Sequence, residues 1–284
     1  MTTNEVKVAA VQLSSGSDVA LNVDSATDLV LKAADGGAQY IQLPEYFNYL
    51  GPEERYDAVA ESIPGKTTSH FAEIARSRGV AIHIGSMLEQ SQIPGRCFNT
   101  SVVIDQYGSI AAKYRKTHLF DVDVQGEVVY RESDAISPGD ELIVADVSGF
   151  CLGMSICFDL RFPELYRRLA TNGAEVIAIP AAFAASTGRA HWSVLVRARA
   201  IENHAFVIAA AQVGTTAEGS AFFGHSMIVD PWGDVLAESL EEGEDVVVAT
   251  IDLNEVLRRR AQISVLTLQR PALYDSLPSS VAGV

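Results

Sequence analysis

The sequence predicts a layered α/β protein in which two sheets, each carrying helices on one face, stack sheet against sheet. Three observations carry this expectation. Short apolar runs rich in β-branched residues alternate with longer segments of helical period. The second half of the chain repeats the order of the first, with one extra strand and no identity between the halves. The strand segments carry few charges, as strands buried on both faces require.

Val6 to Leu13 reads as the first buried strand. Asp18 is a suitable N-cap for a helix over Val19 to Ala34, and Gly36-Gly37 stops it. Tyr40 to Leu43 is a short strand ended by Pro44, and Thr67 to Arg78 a helix closed by Gly79. Val80 to Met87, Phe98 to Asp105 and Ile110 to Tyr114 are strands, the last two joined by a turn at Gln106-Tyr107-Gly108-Ser109. A loop from about Lys116 to Glu141 is long enough to be functional. Strands then follow at Glu141 to Val147 and Cys151 to Ile156, a helix at Phe162 to Thr171, a strand at Val176 to Ile179 and a helix at Arg189 to Asn203. Phe206 to Gln212, Ser226 to Val229 and Val235 to Ala237 are strands, with Asp230-Pro231-Trp232-Gly233 turning between the last two. Val246 to Ile251 adds a strand and Leu253 to Ala261 a helix. No Pro/Gly/Ser linker divides the 284 residues, so one domain is expected over 1–284, with the tail from about Ser264 packing on a subunit partner.

Composition narrows the function. At 48% hydrophobic residues the chain can bury a large core, and a net charge of -15 argues against a nucleic-acid surface. No apolar run reaches membrane-spanning length, and no signal peptide is expected before the first strand. Three cysteines, none in a CxxC pair, fit a reducing compartment better than a disulfide framework, so a cytoplasmic protein is expected. No HxxxH spacing suggests a metal, and no GxGxxG or P-loop follows a strand, so neither metal nor cofactor is expected.

One stretch stands out, Met154-Ser155-Ile156-Cys157-Phe158-Asp159-Leu160-Arg161-Phe162-Pro163-Glu164. It reads as a strand that stops at a cysteine and turns into a helix, with Pro163 in the first turn. Helix N-terminal amides at such a corner favour a thiolate and any oxyanion formed beside it. Leu43-Pro44-Glu45 puts an acid just past another strand, and Tyr114-Arg115-Lys116 a lysine past a third. Open α/β sheets build their sites at that edge. Taken singly, Glu45, Lys116 and Cys157 read by default as a turn acid, a solvated strand end and a small core residue. Cys97 and Cys151 sit within strand patterns and are expected in the core.

Together, Leu43-Pro44-Glu45, Tyr114-Arg115-Lys116-Thr117-His118-Leu119-Phe120 and Ile156-Cys157-Phe158-Asp159-Leu160-Arg161-Phe162-Pro163-Glu164 resemble the three motifs of the nitrilase, or carbon–nitrogen hydrolase, superfamily. The resemblance runs from the first strand to about Trp232. It implies a four-layer α-β-β-α sandwich, a homodimer or higher homo-oligomer, and a Glu-Lys-Cys triad of Glu45, Lys116 and Cys157. Glu132 matches a second family glutamate, which the resemblance adds to the catalytic residues: it positions the lysine or the substrate amide, and whether it also takes protons stays open. Attack of Cys157 on an amide would give a thioester and ammonia, with Glu45 moving the proton. Lys116 and the backbone N–H of Phe158 would hold the oxyanion. Water would then release the acid.

Pro180-Ala181-Ala182-Phe183, Thr187-Gly188 and Arg197-Ala198-Arg199-Ala200-Ile201-Glu202-Asn203 resemble the amidase branch that acts on deaminated glutathione and 2-oxoglutaramate. This implies a terminal amide of a small carboxylate as substrate, water as co-substrate, and Arg161, Phe183 and Thr187 as substrate-binding residues. Arg189 and Arg197 are further candidates for the carboxylate. Phe158 stands where the family commonly has tyrosine, His204 where it has glutamine, and Ala221-Phe222-Phe223 lacks the polar residues common before Gly224-His225-Ser226. Alternatives are a nitrilase or N-carbamoyl hydrolase with the same triad, an idle partner-binding scaffold, and a Cys-His protease using His118, His191 or His225.

Overall fold

The computed structural model describes residues 4–124, 128–240 and 242–274. A seven-stranded sheet runs in the order Asp245–Asp252, Glu5–Gln12, Tyr40–Gln42, Ala81–His83, Cys97–Ile104, Met87–Gln90, with Ile110–Arg115 also paired to Cys97–Ile104. A six-stranded sheet runs Val235–Glu238, Met227–Val229, Phe206–Ala209, Val176–Ala178, Phe150–Met154, Val144–Val147. The three central strands of each parallel set, Glu5–Gln12 to Ala81–His83 and Phe150–Met154 to Phe206–Ala209, are paired in parallel.

The period-2 alternation of the first strand builds both layers it touches. Val6, Val8 and Ala10 enter the core between the sheets with Leu152, Met154, Ala178 and Ile208. Ala9 and Val11 point the other way, under Ala26 and Val30 of helix Val19–Asp35 and Phe71 and Ala75 of helix Lys66–Arg78. Leu165 and Leu169 of helix Pro163–Thr171 and Trp192 and Val196 of helix Ala185–Asn203 cover the outer face of the second sheet. The layers are therefore helix, sheet, sheet, helix, the four-layer sandwich. Fully burying each Val, Leu or Ile contributes roughly 1.5–3 kcal/mol.

Local signals act where the sequence places them. Asp18 accepts from the N–H groups of Ala20 and Leu21, capping its helix at 2.9 and 3.2 Å. Gly79 closes Lys66–Arg78 in the left-handed conformation, and Pro163 opens its helix at the first turn. The strand Asp245–Asp252 returns to pair antiparallel with Glu5–Gln12, so the chain closes on its first sheet.

Several expectations need correcting. Val80 to Met87 is not one strand: it divides around Gly85 (φ 58°), where an added Cβ would lie 1.9 Å from the Pro44 carbonyl oxygen. This close approach seats the loop that carries Glu45. The Lys116 to Glu141 loop holds its own hairpin, Asp121–Val124 with Val128–Arg131, and a 3₁₀ turn at Glu132–Asp134. Short helical turns at Glu53–Arg55 and Tyr56–Val59, and a hairpin of Val213–Thr215 with Ala221–Phe223, carry no periodicity long enough to announce them. Cys97 is buried as expected, but Cys151 is only half-buried, lining a surface cleft with Asp146, Arg168 and Asn172. Beyond Ser264 the described residues form turns and a short helix, Pro271–Tyr274, with Leu268, Leu273 and Tyr274 exposed. Residues 275–284 of that tail lie outside the described residues.

Candidate active site

Glu45, Lys116 and Cys157 each follow a strand, and the fold brings all three together. Glu45 lies just past Tyr40–Gln42, Lys116 ends Ile110–Arg115, and Cys157 follows Phe150–Met154. All three are buried, Cys157 being 8% exposed. Glu132, in the 3₁₀ turn after the hairpin, joins them and is also buried.

Lys116 is the hub. Its Nζ donates to Glu45 Oε1 at 2.9 Å and to Glu132 Oε1 and Oε2 at 3.1 and 2.8 Å. Burial opposes its charge, but the Glu132 and Glu45 carboxylates outweigh burial and raise its pKa well above the usual lysine range. The group is therefore an ammonium, able to donate to an oxyanion and unable to act as a base. Glu132 takes only donors: besides Lys116, the Tyr46 hydroxyl at 2.9 Å, Asn99 Nδ2 at 3.2 Å and the Phe120 N–H at 2.7 Å. Glu45 Oε1 also accepts from Asn99 Nδ2 at 2.9 Å, and its Oε2 from the Ala182 N–H at 2.8 Å.

Cys157 adopts a left-handed backbone (φ 45°), uncommon for a residue with a Cβ. Its own N–H is spent on the Pro180 carbonyl at 2.9 Å, and a 3₁₀ turn, Cys157–Arg161, follows before the helix. The first bond of that turn comes from Asp159 to the Ile156 carbonyl. The Phe158 N–H precedes it and has no acceptor within the turn. Asp159 is buried and accepts from Ile156 N–H, the Tyr114 hydroxyl, Thr117 and both the N–H and Nδ1 of His118. It thereby ties the lysine segment to the cysteine corner.

The helix corner is not the only influence on the thiol. Burial first, and then the Glu45 carboxylate, push its pKa well above the ordinary cysteine range, against the opposing pull of Lys116. The resting group is a buried thiol that shares its surroundings with a carboxylate, Glu45, and an ammonium, Lys116.

Cys157 lies in a cavity of about 1110 Å³ that Glu45, Lys116, Glu132, Phe158, Arg161, Phe183 and Thr187 also line. Arg161 is half-buried over the Phe158 and Phe183 rings, at 5.8 and 5.3 Å. Its Nη1 donates to His191 Nδ1 at 3.3 Å, and among the described residues it forms no ion pair. Burial lowers its pKa, so it is a partly desolvated cation. Arg189 and Arg197 do not line the cavity; Arg197 instead donates to the Gly233 carbonyl at 2.7 Å. No histidine lines it either. His118 pairs with Asp159 and stacks on Phe162, and His225 pairs with Glu238, so the Cys-His arrangement has no partner at Cys157. Among the described residues no group of three or more His, Cys, Asp or Glu could hold a metal ion, and no helix is long and apolar enough to cross a membrane.

Sequence reading missed Asn99, Tyr46 and Arg131. The run Asn99-Thr100-Ser101 inside a strand was a usable signal, since three successive polar residues in a buried strand need partners. Tyr46 and Arg131 lie beside residues already singled out, and only folding shows that they line the cavity.

Residues 7–261 match the sequence model of a family described as carbon–nitrogen hydrolase. The chain is 40% identical over 277 residues to a deaminated glutathione amidase from Bos taurus, covering 95% of this chain and 84% of that protein. It is 37% identical over 268 residues to an omega-amidase from Homo sapiens, covering 94% and 96% respectively. A mutant amidase from Nesterenkonia sp., solved with the acetamide moiety of fluoroacetamide covalently added at its active-site cysteine, superposes with a TM-score of 0.80. Its sequence is 25% identical, over 96% of this chain and 97% of that one. The sandwich, the cavity and the sequence match over most of the chain agree: this protein belongs to the carbon–nitrogen hydrolase family.

Proposed function

We propose that the protein is a cysteine-dependent amidase that hydrolyses the terminal amide of a small carboxylate of the 2-oxoglutaramate or deaminated glutathione type. The single observation that carries the reading is the buried cluster of Glu45, Lys116, Glu132 and Cys157 at the floor of one cavity. Cys157 Sγ attacks the carbonyl carbon as its proton passes to Glu45. The oxyanion is held by the Lys116 ammonium and the Phe158 N–H. Glu45 returns the proton to the leaving nitrogen as the C–N bond breaks, which leaves a thioester on Cys157. Water, deprotonated by Glu45, then attacks the thioester; the acid departs and Cys157 regains its proton. Losing one oxyanion donor costs about 3 kcal/mol of barrier in comparable sites.

Glu132 acts as a counter-charge that fixes Lys116, because every partner it has is a donor. Arg161 takes the substrate carboxylate. It is the desolvated cation beside Cys157 without an ion-pair partner among the described residues, in a protein whose overall charge would otherwise repel an anion. Phe183 and Thr187 complete that wall. The names of the bovine and human relatives favour the same substrate class. We also read the protein as a cytoplasmic homodimer, with the apolar residues Leu268, Leu273 and Tyr274 of the tail covered by a second copy. Light scattering on the full chain and on one ending at residue 264 tests this.

The functional test follows the carboxylate product by mass spectrometry over a panel: 2-oxoglutaramate, deaminated glutathione, an aliphatic amide, an N-carbamoyl amino acid and a nitrile. Hydrolysis of either of the first two, lost in Cys157→Ala, supports the reading. Turnover of the nitrile or carbamoyl compound alone replaces it with the corresponding family activity. Full cellular function of Cys157→Ala would point instead to a scaffold.

A further inference from the structure

The two carboxylates at the site share one ammonium, so the buried cluster of Glu45, Lys116 and Glu132 lacks a second cation to balance it. Like charges this close would ordinarily force a proton onto one of them. The missing donor is supplied by a neutral side chain. Asn99 is completely buried in the strand Cys97–Ile104, and its Nδ2 donates to Glu45 Oε1 at 2.9 Å and to Glu132 Oε1 at 3.2 Å. Its backbone carbonyl also accepts the Lys116 N–H at 2.9 Å. One residue thus touches all three members of the cluster, from a strand paired on both sides.

We propose that Asn99 is a positioning residue that sets which oxygen of Glu45 is the working base. Asn99 and Lys116 both occupy Oε1. Oε2 accepts only the Ala182 N–H and is the oxygen left to take the Cys157 proton. The amide cannot turn over, because its oxygen would then face two carboxylates. Its Oδ1 is accordingly buried with no hydrogen-bond partner among the described residues, a penalty that a side chain without a task would not retain. Aspartate at this position would add a third negative charge, and an apolar residue would leave both carboxylates one donor short.

This rests on the reading of Glu45 as the base for Cys157, so the test separates the two. Alkylation of Cys157 by iodoacetamide, resolved from Cys97 and Cys151 by peptide mass spectrometry, reports the Glu45–thiol pair without any substrate. Asn99→Ala in the full chain is expected to slow it about tenfold. The same variant is expected to lower kcat about 10²-fold with KM within about threefold. Asn99→Asp should be slower than Asn99→Ala in both assays. If Asn99→Ala does not fold, Asn99→Ser, which keeps a donor, carries the comparison with Asn99→Asp. Glu45→Gln is the control. If Glu45→Gln slows alkylation while a folded Asn99→Ala matches the parent, the Asn99 proposal alone is overturned. If Asn99→Asp outperforms Asn99→Ala, it is overturned as well. If Glu45→Gln itself leaves alkylation unchanged, the base assignment falls and Asn99 with it.

Discussion

Replacing Lys116 by methionine keeps most of the stem and removes the only ammonium among the described residues of the site. Its contacts are 2.9 Å to Glu45 and 2.8 Å to Glu132, both with buried partners. At an effective dielectric near 20, each attraction is roughly 6 kcal/mol before desolvation is counted. Desolvation of the three ions takes back much of this, and removing one member of such a buried set costs about 3–5 kcal/mol net. For a chain of this size the melting temperature should fall by roughly 6–20 °C. The deficit should also depend on pH. In the parent, the raised pKa of Lys116 makes its contribution fully present below the unfolded lysine value, to be lost only as pH climbs past the folded one. The neutral range is therefore flat for this group. In Lys116→Met two carboxylates face each other without a cation, so one binds a proton more tightly folded than unfolded. A carboxyl raised in this way stabilises at low pH and loses that contribution as pH rises through its folded value. Melts of parent and variant at pH 5 and pH 8 should therefore differ more at pH 8. Equal melting temperatures at pH 8, or a deficit independent of pH, would refute the claim that Lys116 neutralises both glutamates.

Arg161→Gln should raise KM about 10- to 100-fold for a carboxylate-bearing amide and leave a neutral aliphatic amide unaffected, as steady-state kinetics on the pair would show. Asp159→Asn should destabilise the fold by about 3 kcal/mol in denaturant melts, because an amide cannot accept from donors at both oxygens. Glu89 lies outside the site. Burial works against its charge, but hydrogen bonds from Arg115, Lys113 and Thr100 outweigh burial and lower its pKa to about 2. A depressed carboxyl stabilises above its unfolded value and loses that contribution as pH falls through the folded one. The melting difference between parent and Glu89→Gln should therefore be constant above about pH 5 and shrink towards pH 2.

Much of this fold was legible in the chain because burial on both faces leaves a two-residue period and few charges. Val6, Val8 and Ala10 against Ala9 and Val11 are the clearest case. Caps such as Asp18, Gly79 and Pro163 worked because their chemistry is local. The hairpin Asp121–Val124 with Val128–Arg131 was hidden by its charged residues, and the split at Gly85 by a tertiary contact with Pro44. Glu45, Lys116 and Cys157 could be picked out because each follows a strand within a recognisable motif. The polar run at Asn99 could mark the residue but not its partners, which are two carboxylates 54 and 33 positions away in the chain. The surroundings of Cys157 were legible only in part for a related reason. A helix corner alone favours a thiolate, but burial and the carboxylate of Glu45 decide the balance, and both arise only on folding.

The central claim is that Cys157 carries the acyl group. Acid quenching during turnover of 2-oxoglutaramate, followed by intact-protein and peptide mass spectrometry, tests it most directly. The expected result is a transient adduct on Cys157 with the mass of the product acid less one water. Glu45→Gln should form that adduct far more slowly, and Cys157→Ala should form none. Continued turnover by Cys157→Ala, or an acyl group found on a different residue, would contradict the claim.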